Sequence, residues 1–287
     1  MKNIIKDWIP PFIWKSLSKR YHHRNIGFTE WEYIPDGWTY AQTHPEVKGW
    51  NIQDILETYQ QKWPQFVQIV QGTESLGVAH ESALTKNEDI YSHNTIMAFA
   101  YALTLACRHK DRLSMLDWGG GIGHYLLLAQ GLLPGVEIEY HCKDVPVLVE
   151  HGATLFPNAH FYTDRVCLER PYDFVMASAS IHYSEDWQKL LQQLANVTSS
   201  YLYIANLPTV HQAHSFVFIQ RPYQYGYNTE YLGWCINQVE FLDIANQSGL
   251  DLVREFVYGH QPVIVNAPEQ NSYRGYLFRS RTWRTHE

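Results

Sequence analysis

The sequence predicts an α/β fold in which a mostly parallel sheet of seven strands, ending in an antiparallel pair, follows a largely helical N-terminal segment. Three observations predict it. The stretch 113–130, LSMLDWGGGIGHYLLLAQ, reads as a strand, a tight glycine turn and a helix. From Arg112 onward short apolar runs alternate with amphipathic ones, the pattern of β/α units around a parallel sheet. Near the C-terminus two strand-like runs, 250–258 and 273–278, are separated only by a loop, as antiparallel neighbours are.

Residues 1–20 mix apolar and basic side chains around Pro10 and Pro11. They fit a short amphipathic helix at a membrane surface or partner groove, or a tether packed on the core. Ile52, Ile55, Leu56 and Tyr59 share one face of a helix over 52–63. Pro64 is expected to end it or to start another turn, with Phe66, Val67 and Val70 continuing as a second short helix. Ser92 is expected to cap a long helix that carries Ile96, Phe99, Leu103 and Cys107 on one face. Arg108, His109 and Lys110 follow at its C-terminal end, where cations are favoured. Strands are then predicted over 114–118, 136–144, 160–164, 172–178 and 201–205, the fourth apolar almost throughout, as a central parallel strand is. A helix over 186–197 buries Trp187, Leu190, Leu191 and Leu194, and another starts at the capping-box pair Asn237 and Glu240 and stops at Gly249. The chain thus divides into an arm and cap over 1–110 and a Rossmann-like domain over 111–287.

With 287 residues, 45% of them hydrophobic, the chain is long enough for one large domain or a core domain with an added segment. The net charge of −7 and the absence of a basic run argue against nucleic acid as a partner. Cys107, Cys142, Cys167 and Cys235 are far apart and form no CxxC pair, so neither zinc nor a disulfide framework is expected. The prolines near the start interrupt any signal-peptide core, and no apolar run approaches the roughly 18 residues of a spanning helix. A cytoplasmic location is the resulting expectation.

The glycine turn needs close reading. A dinucleotide fingerprint has glycine at its first, third and sixth positions, but counted from Gly119 the sixth is His124. The pattern instead places Asp117 two residues before Gly119, Gly120, Gly121 and Gly123. Ligands of open α/β sheets sit at the carboxyl ends of the strands, so the other strand ends supply further candidates. Asp144, with Val145 beside it, ends the second strand, where a carboxylate can accept both hydroxyls of a ribose. Thr163 and Asp164 end the third, and Asp164 can accept from an exocyclic amine. Ser178 and Ala179 end the fourth, where small side chains let a ligand approach the backbone. His182 follows them, with a side-chain pKa near neutrality suited to a general base, and His211 and His214 are the alternatives after the fifth strand.

Taken together, LDWGGGIG, KDVP, TD and DFVMASASIHYSEDW make residues 112–206 resemble the cofactor half of a class I S-adenosylmethionine (SAM) methyltransferase. The wider chain is similar to a family of bacterial methyltransferases associated with surface polysaccharide or other secondary biosynthesis. That likeness includes the arm from Phe28 to Glu32 and the segment from Gly49 to Leu56. The family usually has Phe where Trp118 stands and commonly Glu where Asp144 stands. The resemblance implies SAM as cofactor, Asp117 near its methionine end, the glycines lining it, Asp144 on its ribose and Asp164 at its adenine edge. No Asn-Pro-Pro-Tyr element follows the fourth strand, which argues against nucleobase amino groups as acceptors. The expected activity is methyl transfer to a small molecule or glycan, O-directed, with a histidine base. A non-catalytic SAM-binding or scaffold protein is the alternative, and an NAD-dependent oxidoreductase a more distant one.

Overall fold

The computed structural model describes residues 29–77 and 89–282. The amphipathic reading of 1–20, Phe28 of the arm and most of the loop read over 72–87 lie outside them. In chain order the elements are β1 (Trp31–Tyr33), α1 (Gln53–Gln71), α2 (Ile90–Ala106), β2 (Arg112–Trp118), α3 (His124–Leu132), β3 (Glu137–Lys143), α4 (Pro146–Leu155), β4 (His160–Tyr162) and β5 (Tyr172–Ser178). They continue with α5 (Trp187–Asn196), β6 (Thr198–Val210), β7 (Phe216–Gln220), β8 (Tyr231–Asn237), α6 (Gln238–Gln247), β9 (Leu250–Val257) and β10 (Ser272–Ser280).

The central sheet runs β4-β3-β2-β5-β6, all parallel, and then β10 and β9, with β10 antiparallel to both of its neighbours. This is the predicted α/β sheet with its terminal antiparallel pair. Because β5 is covered on both faces, its successive residues feed two apolar layers. Phe174 and Met176 pack with Phe99 and Leu103 of α2 and Leu126 of α3. Val175 and Ala177 pack with Trp187 and Leu191 of α5 and Phe241 of α6. The sheet is therefore the middle of a three-layer sandwich, and its carboxyl edge is where no helix covers the strand ends.

Three differences from the sequence reading bear on the site. First, Pro64 lies inside α1 and does not end it. Ile55, Leu56 and Tyr59 before the proline and Phe66 and Ile69 after it form one buried face. Burial of about 1.5–3 kcal/mol per large apolar side chain outweighs the ~3 kcal/mol cost of an interior proline. Second, Asp89 caps α2 through its carboxylate, which accepts from the Ser92 backbone N–H at 2.9 Å; Ser92, the expected cap, is already in the first turn.

Third, β6 does not stop at Ala205. It continues to Val210, and its far end pairs with β8 through Thr209 and Val210. β7 pairs with β8, and the arm strand β1 pairs with β7, both antiparallel. Pro208 is tolerated because it falls where this edge of β6 changes partner, the pairing with β5 ending at Ala205 of β6 and that with β8 starting at Thr209 of β6. This antiparallel extension, absent from the seven predicted strands, stands beyond the carboxyl ends of β5 and β6 and adds a wall to the cleft there. Its signal was two short apolar runs, FVFI and YLGWCI, on either side of Pro222 and Gly226. Among the described residues no helix is long and apolar enough to cross a membrane.

Candidate functional site

The glycine turn leaves β2 at Trp118 and enters α3 at His124. Gly119 adopts φ +78°, and its N–H donates to the Lys143 carbonyl at 2.7 Å. A Cβ at Gly119 would lie 2.3 Å from Cβ of Ser180, so β2 and the segment after β5 can touch only because glycine stands there. A Cβ at Gly120 would come within 2.5 Å of an Asp117 carboxylate oxygen. The turn is thus packed from below and open above, where it lines a cleft.

Two carboxylates flank it from adjacent strands. Asp144, immediately past β3, is half-buried and lines the cleft. Its Oδ2 accepts from the Gly121 N–H at 2.7 Å and its Oδ1 from the Val145 N–H at 2.6 Å. These bonds fix the carboxylate while leaving acceptor capacity on both oxygens. Asp117 is fully buried behind the turn. Tyr140 donates to its Oδ2 at 2.6 Å, and its Oδ1 has no hydrogen-bond partner among the described residues. Burial pushes the Asp117 carboxyl up to about 7, opposed by the Tyr140 hydrogen bond and reinforced by the Asp144 charge.

The opposite wall comes from the ends of β5 and β6. Ser178 Oγ is shared by Tyr125 of α3, whose hydroxyl is 2.8 Å away, and by Asn206, whose Nδ2 donates at 3.1 Å. Asn206 Oδ1 accepts from Thr95 of α2 at 3.2 Å. Two non-glycine residues here are left-handed, Ala179 at φ +47° and Asn206 at φ +52°, and the Ala179 N–H donates to the Ala205 carbonyl at 3.0 Å. Such strain persists only where the surroundings over-determine it. Ser180 then closes the floor by donating to the Trp118 carbonyl at 2.6 Å.

Aromatic rings form the sides. Tyr59 from α1 and His124 line the cleft, and the His124 ring meets Tyr59, Trp63 and Phe66 edge-on at 5.0–5.3 Å between centroids. The histidine that replaces the last glycine of a dinucleotide turn therefore clamps α1 onto the turn. Trp50 stacks on Tyr231 of β8 at 4.5 Å and meets Tyr183 edge-on at 5.1 Å. At the end of the cleft near β3 and β4, Lys143 and Arg165 stand 4.9 and 5.8 Å from the ring centre of Trp118.

Of the residues singled out from sequence, Gly119, Gly120, Gly121, Asp144, Val145, Ser178 and Ala179 line this one cleft. Asp117 sits directly behind the turn, and Gly123, at φ +100°, caps α3 against Phe156 without lining the cleft. Thr163 and Asp164 are exposed and outside it; Asp164 accepts from the Val166 N–H at 3.1 Å, so it caps its own turn. The structure does not bring the three candidate bases to the cleft. His182 is fully buried, neither ring nitrogen has a hydrogen-bond partner among the described residues, and burial drives its pKa down to about 3. Its ring packs on Tyr183 at 4.0 Å between centroids. His211 and His214 are exposed in the turn after β6, carried past the cleft by the additional length of that strand. Sequence reading missed Trp50, Tyr59, Tyr125, Lys143, Arg165 and Asn206. Asn206 had a faint signal, since asparagine is enriched at positive φ; the others converge only through tertiary packing.

No protein-family model matches the chain, and no curated protein sequence matches it. Solved structures do. A SAM-dependent methyltransferase from Clostridium acetobutylicum is similar at 12% identity, covering 64% of this chain and 92% of that one, with a TM-score of 0.44. The 1,6-didemethyltoxoflavin-N1-methyltransferase of Burkholderia thailandensis, solved with 1,6-didemethyltoxoflavin and S-adenosylhomocysteine, is similar at 14% identity over 67% of this chain and 81% of that one, TM-score 0.44. An O-methyltransferase family 2 protein from Planctomyces limnophilus, in complex with apigenin, is similar at 13% identity over 70% and 63%, TM-score 0.41. The fold is a Rossmann-like α/β sheet. That assignment rests on this chain's own strand order, and the chemistry has to be argued from the cleft.

Proposed function

We propose that this chain is a SAM-dependent methyltransferase acting on a small-molecule or glycan acceptor. One observation carries the reading. Two carboxylates stand at the ends of adjacent parallel strands on either side of a glycine turn, one held open to the cleft and one buried with an oxygen that has no partner among the described residues. Such a pair suits a ligand with a diol at one point and a positive charge at another, which SAM offers in its ribose and its aminoacyl-sulfonium end. Bound there, SAM supplies an electrophilic methyl group. Asp144 would hold the ribose hydroxyls, and the carboxylate of Asp117 would favour the positive end through the turn. The Ser178–Ala179 edge and the rings of Tyr183 and Trp50 would hold the acceptor beside it, so that positioning two reactants supplies much of the rate.

The acceptor atom is proposed as oxygen, following the resemblance in sequence, and polysaccharide biosynthesis is the setting which that resemblance favours. The proposal gives no base role to His182, His211 or His214, because a general base must reach the proton it takes. Their positions favour one second reading, a SAM-binding protein without turnover.

Calorimetric titration with S-adenosylhomocysteine and, separately, NAD⁺ tests the cofactor. We expect S-adenosylhomocysteine to bind and Asp144→Ala to weaken it by about tenfold or more, the scale of a lost charge-assisted hydrogen bond. A clear NAD⁺ signal with none for S-adenosylhomocysteine would overturn the reading. Methyl-labelled SAM offered with hydroxyl-bearing acceptors then separates an enzyme from a binding protein.

A further inference from the structure

Away from the cleft, the outer edge of the sheet brings His160 to two groups that lie some twenty residues earlier in the chain. Glu139 and His141 are two residues apart on β3 and so share one face of the strand. The parallel register sets His141 directly opposite His160 of the edge strand β4. One ligand atom from each of the three lies within 4.8 Å of the others.

We propose that Glu139, His141 and His160 form a binding site for a divalent transition-metal ion of the Zn²⁺ type. The donor set, two imidazoles and a carboxylate, is the kind Zn²⁺ takes. A tetrahedral ion with bonds of about 2.0–2.1 Å holds its ligand atoms about 3.3 Å apart. His141 Nε2 and Glu139 Oε1 are already 3.1 Å apart, so binding needs the His160 ring, now stacked on that of His141 at 4.5 Å between centroids, to turn toward them and Arg170 to move aside. His160 is exposed, which leaves its side chain room to move and gives the ion an entrance. The second nitrogen of His141 is spoken for: Nδ1 is 2.9 Å from the Tyr162 hydroxyl, which can accept its proton and leave Nε2 free to bind.

A cation already stands at this position. Arg170 Nη1 is 2.8 Å from Glu139 Oε1 and 3.4 Å from His141 Nε2, between the two atoms a metal would bridge. Arg112 holds the other Glu139 oxygen at 3.0 Å. The Arg170 side chain is 46% exposed and can swing out. Metal and Arg170 therefore compete, and the competition provides the test. The bound ion would staple the three-residue edge strand β4 to β3.

Zn²⁺ would be titrated into the full chain against a chromophoric chelator, and the melting temperature followed with and without the metal. We expect one ion per chain with Kd of about 10 µM or tighter, and a raised melting temperature. His160→Ala should weaken binding at least about tenfold and abolish the thermal shift, while Arg170→Ala, by removing the competitor, should tighten binding severalfold. Failure of the wild-type chain to bind would overturn the proposal. So would undiminished binding in His160→Ala, which would locate the metal at other histidines, or loss of binding in Arg170→Ala.

Discussion

The two walls of the cleft are built in opposite ways. At the ends of β2 and β3 the chain removes side chains: Gly119 and Gly120 let backbone, Ser180 and Asp117 meet where a Cβ would lie 2.3–2.5 Å from its neighbours. At the ends of β5 and β6 it keeps side chains and bends the backbone around them. Ala179 and Asn206 take left-handed conformations without being glycine, held by a chain of polar contacts from Tyr125 through Ser178 and Asn206 to Thr95. A wall made of absent side chains can be seen in a short stretch of sequence. A wall made of mutual constraint cannot, because its members lie on α2, α3, β5 and β6.

The comparison yields four tests, in falling order of effect. Gly119→Ala should be the most damaging, at about 3 kcal/mol or more, since it adds both overlap with Ser180 and a left-handed φ on a residue with a Cβ. Chemical denaturation measures it, and a loss under about 1 kcal/mol would mean that the two strand ends are not locked together. Asn206→Ala should cost about 2 kcal/mol, from leaving Ser178 and Thr95 with a lost partner in a buried site. A double-mutant cycle with Thr95→Val should show coupling; strict additivity would break the picture of a network.

The third test concerns pH. The Asp117 carboxyl has a folded pKa of about 7, raised from 3.8, so it favours the folded state when protonated. Its contribution to stability is present at low pH and is lost as pH rises from about 4 through 7. A ligand whose positive end meets ionised Asp117 has the opposite trend. Its affinity should rise about tenfold between about pH 6 and 8, with proton release on binding, since one unit of pKa is worth about 1.36 kcal/mol. Asp117→Asn should flatten both profiles. Smallest of all is Ala179→Gly, expected to raise stability by about 0.5 kcal/mol by relieving a left-handed alanine, net of the greater flexibility of glycine when unfolded. A loss of stability instead would show that the methyl group is packed and not merely tolerated.

Much of the first wall was legible. Asp117, the glycines and Asp144 lie within 28 consecutive residues, 117–144, and local rules about turns and strand ends apply to them directly. The errors came where a local rule met tertiary competition. Pro64 reads as a helix end, but five buried side chains carry α1 through it. The fifth strand reads as stopping at Ala205, yet β6 runs on to Val210 because β8 supplies a new partner at Thr209. His182 follows the end of β5 closely along the chain, the place where a strand-end base is expected. In space the short helical turn at Ile181–Tyr183 directs its ring into the interior against Tyr183 and Phe218, and gives the cleft Tyr183 instead.

What the sequence determined by itself is the α/β alternation, the turn and the two carboxylates beside it, because periodicity, glycine conformation and strand ends are properties of near neighbours along the chain. Only the tertiary structure decided which histidines reach the cleft, which aromatic rings line it, and how β1, β7 and β8 extend the sheet beyond it. It also decided that His160 stands opposite His141. Those outcomes depend on register and packing between segments far apart in the chain, where burial outweighs local preference.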